Sequence, residues 1–531
     1  MAGFQLSWVD GVIIAAYLIG LVTLALMART GALNPDKARD HFLVGRSAPW
    51  YMIGFALFAS NMTAVGMIGL PGSAYAHGIN VHNYEWMGTL VLPLFCAFVL
   101  PTYLSSNVFT VPEFLERRYS QFARTYLSGL TIFLCVLADT AGALFAGGVL
   151  LQILLPGVAL WQISCVLALC AGIFLIIGGL RAVMVTEAIQ AVILLIGGVI
   201  VAVLTVNAAG GWEAIKNGVP PEHLSLIRPD SDPVMPWTGL VTGGLIIGFY
   251  FWCTNQFMVQ RMLAARSLDH GRWGGLFAGL LKLSSLFLLC IPGVAALLIF
   301  PNLARPDQVF PSLILTLLPT GILGILIAAF LATIISTLAA NYNAASTLVT
   351  MDFVRRFRPD MSDTALIRAG RITVVILMLL SMLWVPMIGA MRDSLWQYLQ
   401  AILSYFVPPV AAVFFAGLFW RRANDAGAKA GLILGTLLSV VFFIGVEIIH
   451  TIDLHFLKSA FVIFAVSLIA TAIASLMTAP PEAEPVNPLT FSGDLWQRET
   501  LALKFVPFWQ NYRILSVALI AVTALMVWIF R

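Results

Sequence analysis

The feature that most constrains this chain is the recurrence of apolar runs of bilayer length. Fourteen can be marked, roughly 9–27, 51–75, 84–104, 126–155, 161–177, 182–206, 237–262, 273–300, 321–354, 371–387, 396–420, 431–449, 460–477 and 514–530. Each is close to the ~20 residues that cross a hydrocarbon core as a helix. Inside lipid every backbone N–H and C=O must be satisfied within the protein, and runs this long select helices over barrel strands. Composition agrees: 60% of the 531 residues are hydrophobic and 10% charged, where ordinary soluble domains carry about 25% charged residues. The expectation is an all-α polytopic membrane protein with about 14 transmembrane helices, forming a single transmembrane domain over 1–531.

Basic residues test the count. Of the 29 lysines and arginines, 22 fall in every second loop, including Arg117, Arg118 and Arg124 in one and Arg355, Arg356, Arg358, Arg368 and Arg371 in another. Six lie in the remaining loops and at the C-terminus, and Lys282 alone falls inside an apolar run. By the positive-inside rule the loaded loops are cytoplasmic. This predicts a multi-pass protein of the plasma membrane (the inner membrane if bacterial) with both termini outside. The first run lacks a basic leader and a small-residue cleavage site, so a retained helix is expected.

The net charge of +4 is too small to suggest a nucleic-acid partner. The six cysteines lie in apolar runs without metal-ligand spacing, and the seven histidines show no zinc pattern. No nucleophile–base constellation is present, so the chain is not expected to be an enzyme or to hold an organic cofactor. Its expected partners are the lipid bilayer, a coupling ion and a small solute, with the chain as a monomer.

The second run cannot be one clean helix. Residues 58–72 read FASNMTAVGMIGLPG, and Asn61, Thr63, two glycines and Pro71-Gly72 interrupt the pattern. A break at membrane depth frees carbonyls that protein, water or an ion must satisfy, and discontinuous helices mark the binding sites of many secondary transporters. A second glycine-rich stretch, GGLIIGFYFWC at 243–253, sits five runs later. That offset is what a five-plus-five inverted repeat with broken helices would produce. The core repeats would cover about 48–207 and 237–422, with peripheral helices at 8–28, 431–449, 460–477 and 513–530.

Polar groups at depth are costly and usually functional. Glu85 opens the third run in NYEW; alone, it could be an interfacial carboxylate held by water. Lys282 lies inside the eighth run and could pair with a buried acid such as Asp139. Asp139 itself could serve an interhelical hydrogen bond. Glu187 suits a helix N-terminus, and Glu447 is expected to snorkel to the surface. In the ninth run, Thr333, Ser336 and Thr337 share one helix face by their spacing of three and four. Hydroxyl and carbonyl oxygens suit a hard cation such as sodium. Hydroxyls on membrane helices also serve helix packing.

Eight runs carry a resemblance: DHFLVGRSAPWY at 40–51, ASNMTAVGMIG at 59–69, NYEWM at 83–87, FTVPEFLERRY at 109–119, GGLRAVMVTEAIQ at 178–190, NQFMVQRMLAARS at 255–267, TMDF at 350–353 and GLFWRR at 417–422. With them the chain resembles the sodium/solute symporter family, in its sodium/sugar branch. The resemblance implies a sodium site made by the carbonyls of Ala59, Met62 and Thr333 and the side chains of Ser336 and Thr337. It implies solute contacts from Glu85, Lys282 and Gln400, and gates at Tyr84 and Trp396 on one side and Phe251, with Trp252 beside it, on the other. Glu, Lys and Gln together accept and donate as sugar hydroxyls require. Relatives with a second sodium have an Asp where this chain has Glu187 and serines where it has Ala339 and Ala340, so one sodium per solute is expected. Relatives also place polar groups where this chain has Gly66 and Gly248, and a Tyr at Phe251. The implied function is sodium-coupled uptake of a hexose such as glucose or galactose by alternating access. A polyol such as inositol, a carboxylate, an amino acid, or less favoured a membrane-sensor role, are the alternatives.

Overall fold

The computed structural model describes residues 6–29, 48–106, 110–482, 489–491 and 493–531, with the side chains of 21–22, 24–29, 176–188, 191, 363 and 495 left aside. The described backbone is helical, and its β structure is a single bridge between Ala48 and Ala265. In chain order the main helices are α1 (Trp8–Arg29), α2 (Trp50–Asn61), α3 (Ala64–His77) and α4 (Asn83–Leu94). Next come α5 (Gln121–Leu154), α6 (Leu160–Ala208), α7 (Trp237–Thr254) and α8 (Leu268–Lys282). Then follow α9 (Val309–Leu317), α10 (Ile322–Leu348), α11 (Asp363–Met391), α12 (Leu395–Phe406) and α13 (Pro408–Phe419). The last three are α14 (Asp425–Phe442), α15 (Phe456–Met477) and α16 (Tyr512–Ile529).

Among the described residues nine helices are long and apolar enough to cross a bilayer, or up to twelve if each bent pair is one span. The expected count of fourteen is therefore not reached by this measure. One reason lies in α6. The runs at 161–177 and 182–206 share one uninterrupted helical backbone, because the intervening LRAVM stretch consists mostly of good helix formers. Helix breaks account for others. The run at 396–420 becomes α12 and α13, bent by 52° at the Pro408-Pro409 pair, which has no N–H with which to continue the helical ladder.

The second run breaks inside 58–72 as its residues demand. α2 ends at Asn61, Met62 leaves the helical region (φ −82°, ψ 53°), and Thr63 is extended. The Thr63 hydroxyl then accepts from Gly66 N at 3.3 Å and starts α3, bent by 62° from α2. The stretch at 243–253 behaves differently. It is no gap but a helix with π turns at Leu240–Gly244 and Tyr250–Thr254, and the chain leaves helix only at Asn255. A π turn absorbs an extra residue without freeing a run of carbonyls.

Packing joins distant segments through buried polar caps. α6 lies along α10, and α1 packs on both. The Asp10 carboxylate, on α1, accepts from Gly321 N and Gly324 N at 2.7 and 2.9 Å, closing the N-terminus of α10. Arg118 donates to the carbonyls of Gly417, Ala423 and Trp420 at 2.8, 2.8 and 2.9 Å. Two of the runs that carried the resemblance thus meet: an arginine from ERRY satisfies the carbonyl end of α13 in GLFWRR. Most of 40–51 lies outside the described residues.

Candidate functional site

The break between α2 and α3 sits against α10 and α6. Among the described residues, the carbonyls of Ala59 and Met62 receive no backbone N–H, because the chain turns before one can reach them. α3 touches α10, which carries Thr333, Ser336 and Thr337. Thr333 and Ser336 are buried and Thr337 is half-buried. Thr333 spends its hydroxyl proton on Ala329 O at 2.8 Å. Ser336 stands 2.9 Å from Gln190 Oε1 and 3.1 Å from Thr333 O, so its proton points to these acceptors and a lone pair stays free. A hydroxyl that gives its proton away is prepared to face a cation. The elements that bear the five expected sodium ligands thus come together; Ser336 contacts Thr333, and among the described residues no hydrogen bond crosses from Ala59 or Met62 to them. Glu187 falls on α6, but its side chain lies outside the described residues.

Of the three expected solute residues, two meet. Lys282 Nζ pairs with Glu85 Oε2 across α8 and α4, with Glu85 8% and Lys282 4% exposed. Asp139, the partner considered from sequence, instead lies exposed in a π turn of α5. Lys282 O accepts from Ser285 Oγ at 2.7 Å, and Ser285 stands 3.4 Å from His82 Nδ1. His82 is fully buried and its Nε2 has no partner among the described residues. Gln400, on α12, is 8% exposed, and its side-chain amide has no protein partner among the described residues. Among the described residues no hydrogen bond joins Gln400 to the ion pair.

The residues expected to act as gates lie on different helices. Trp396, in the first turn of α12, packs at Gly69 of α3, where an added Cβ would stand 3.2 Å from Trp396 N. The Trp396 Nε1 and Tyr84 OH atoms are buried without partners among the described residues. Phe251 and Trp252 form an edge-to-face pair with centroids 5.3 Å apart in the last turn of α7, Trp252 buried and Phe251 half-buried. Glu447 does not reach the surface as expected. It is buried, paired with Arg392 and holding the Tyr405 hydroxyl at 2.8 Å. A cation folded in from the loop before α12 removes the need to snorkel.

Comparison with known proteins decides the assignment. The profile described as "Sodium:solute symporter family" matches residues 41–435. The chain belongs to the sodium:solute symporter family. It is 34% identical to a sodium/myo-inositol cotransporter 2 of Oryctolagus cuniculus, over 91% of this chain and 78% of that one. A sodium/glucose cotransporter 4 of Danio rerio is 31% identical (92% and 81% covered), and a sodium/mannose cotransporter of Bos taurus 33% (92% and 90%). Among solved structures, a sodium-coupled sialic acid symporter gives a TM-score of 0.72 at 19% identity, covering 90% of this chain and all of that one. The transporter Mhp1 gives 0.53 at 13% identity, covering 86% and 97%. These two show the fold. The symporter is thus a multi-pass, sodium-coupled solute transporter and not an enzyme.

Sequence reasoning missed Gln190 and His82. Gln190 was visible as a polar residue in the apolar run TEAIQAVILL, but nothing in its spacing pointed to Ser336, 146 positions away. His82 lies three residues before Glu85, and its placement beside Ser285 depends on the approach of α8.

Proposed function

We propose that this symporter couples inward sodium movement to uptake of a neutral, polyhydroxylated six-membered ring, a hexose or cyclitol, by alternating access. The observation that carries the proposal is the buried Glu85–Lys282 pair, an acceptor and a donor held ready at one point. Gln400 adds an amide that can do either. The relatives named for myo-inositol, glucose and mannose move rings of this kind, which favours hexose and cyclitol over a carboxylate or amino acid. An anionic solute would favour a net-positive pocket, whereas this pair is neutral.

In this mechanism sodium rests between the freed carbonyls of Ala59 and Met62 and the Thr333, Ser336 and Thr337 oxygens, tying α2–α3 to α10. Solute then enters from the arginine-poor side, which the charge distribution makes external, and binds Glu85, Lys282 and Gln400. Closure at Tyr84 and Trp396 follows. Sodium leaves as α10 moves off the break, and Phe251 and Trp252 yield to release solute. One sodium ion crossing roughly 100 mV supplies about 2.3 kcal/mol, enough for about a fifty-fold solute gradient at 1.36 kcal/mol per tenfold.

The test is radiolabelled uptake into proteoliposomes over a panel of glucose, galactose, mannose and myo-inositol, with and without an inward sodium gradient. Sodium-driven accumulation of at least one ring is expected. Uptake indifferent to sodium, or confined to carboxylates or amino acids, would sink the proposal.

A further inference from the structure

Asp307 sits in the short turn Pro306–Gln308, between the eighth apolar run and α10, on the arginine-poor side. It is 1% exposed. Both carboxylate oxygens lie 3.1 Å from Leu395 N, the first residue of α12. The Ser394 hydroxyl accepts from Gln397 N at 3.3 Å. Two of the orphan N–H groups at the start of α12 are therefore satisfied, one of them by an acid from a segment 88 positions away. The negative charge lies at the positive end of the helix dipole.

The contact closes three elements at once. An added Cβ on Gly72 of α3 would stand 2.8 Å from Pro306 O and 2.9 Å from Asp307 Cα. Gln397 Nε2 donates to Ser73 Oγ at 3.3 Å, joining α12 to α3. Trp396, next to Leu395, packs on Gly69. Residues 70–75 of α3 are buried, while toward the arginine-rich end Ser60, Asn61, Asn341 and Asn343 are half-buried and Ala344 exposed. Around residues 70–75, α3 and α12 are thus packed together on the arginine-poor side.

Few charges face Asp307. Its own turn brings Arg305; α3 brings Tyr75 and His77, and α12 brings Tyr398 and Tyr405 after Asp393. α9 and the stretch Ala141–Leu154 bring no ionisable side chain. A buried carboxylate this thinly compensated is tolerated only while the α12 terminus faces it.

We propose that Asp307 is the latch of the arginine-poor gate: its carboxyl group, which accepts from the N-terminus of α12 whether or not it holds a proton, keeps α12 against α3 and must release to admit solute. It touches neither ion nor solute, so it is a positioning residue, and the proposal rests on alternating access.

The experiment uses the full chain in proteoliposomes with Ser73→Cys as reporter, the unmodified chain as blank, and a membrane-impermeant thiol reagent outside. In sodium-free buffer, labelling is expected to be slow with Asp307 and at least tenfold faster with Asp307→Ala. Asp307→Asn keeps one acceptor oxygen and is expected to restore slow labelling, which a loss of mere packing would not predict. A second measurement needs no alanine variant. Burial pushes the Asp307 carboxyl up to about 7, so the closed state takes up a proton that the open state does not. Lowering pH from 8 to 6 then favours closure about tenfold, read as slower labelling relative to the Asp307→Asn chain. Equal labelling with Asp307 and Asp307→Ala, or an identical pH ratio with and without Asp307→Asn, overturns the latch. Sodium-dependent uptake is measured in the same vesicles: its absence would count against symport, whereas the labelling rates bear on the latch alone.

Discussion

Removing one member of the Glu85–Lys282 pair separates a solute-binding role from a structural one. Lys282→Met keeps most of the side-chain volume and leaves Glu85 as an unpaired carboxylate that is 8% exposed. Breaking a buried pair this way costs about 3–5 kcal/mol, mostly the penalty on the stranded charge. The double variant Glu85→Gln/Lys282→Met strands nothing and is expected to recover most of that loss. Solute binding follows a different rule. Each charge-assisted hydrogen bond contributes about 1.5–3 kcal/mol, so either single variant should raise the solute KM about tenfold to a hundredfold. The double variant should be at least as poor a transporter as the singles, despite its recovered stability. Thermal unfolding in detergent and sodium-driven uptake, run on all four chains, give the two cycles. Uptake that recovers in parallel with stability in the double variant would refute the solute role and leave the pair as a structural clamp. Wild-type uptake in Lys282→Met would refute both.

Ser336→Ala and Thr337→Ala each remove one oxygen from the proposed ion site and should raise the sodium concentration for half-maximal uptake about tenfold, with solute KM at saturating sodium little changed; an unaltered sodium dependence in both would place the ion elsewhere. Asp10→Ala frees two N–H groups at the start of α10 that the carboxylate now holds at 2.7 and 2.9 Å. It should destabilise the protein by about 1.5–3 kcal/mol, seen as a lower melting temperature. Arg118→Ala removes the side-chain donor shared by three carbonyls at and just past the end of α13 and should lower yield and melting temperature more than Arg117→Ala, whose exposed pairing with Glu113 at 3.7 Å is worth little.

Residue type at membrane depth revealed much of this site. Asn61, Thr63 and the glycines of 58–72 conflict with an unbroken helix, and the chain breaks there. Glu85 and Lys282 stood out because charge in an apolar run is rare, but their pairing across 197 positions depends on how α4 and α8 pack. Partners that are backbone atoms leave no trace in a sequence, which is why Arg118 counted only as a basic loop charge. Glu447 was misjudged for a related reason: Arg392 reaches it from a loop whose path is set by tertiary contacts. The glycines of 243–253 permitted a break, yet π turns absorbed the irregularity. Around Arg181 the charges suggested a loop, while helix-forming neighbours kept α6 continuous.

The Glu85–Lys282 pair has an electrical consequence. One negative and one positive side chain sum to zero, and an uncharged ring entering between them leaves that sum unchanged. A solute pocket built on this pair would carry no gating charge of its own through the cycle, apart from any reorientation of the pair. Current in a voltage-clamped membrane, divided by the flux of labelled solute, would count the sodium ions directly. One positive charge per ring is the value expected of a symporter with a single ion site.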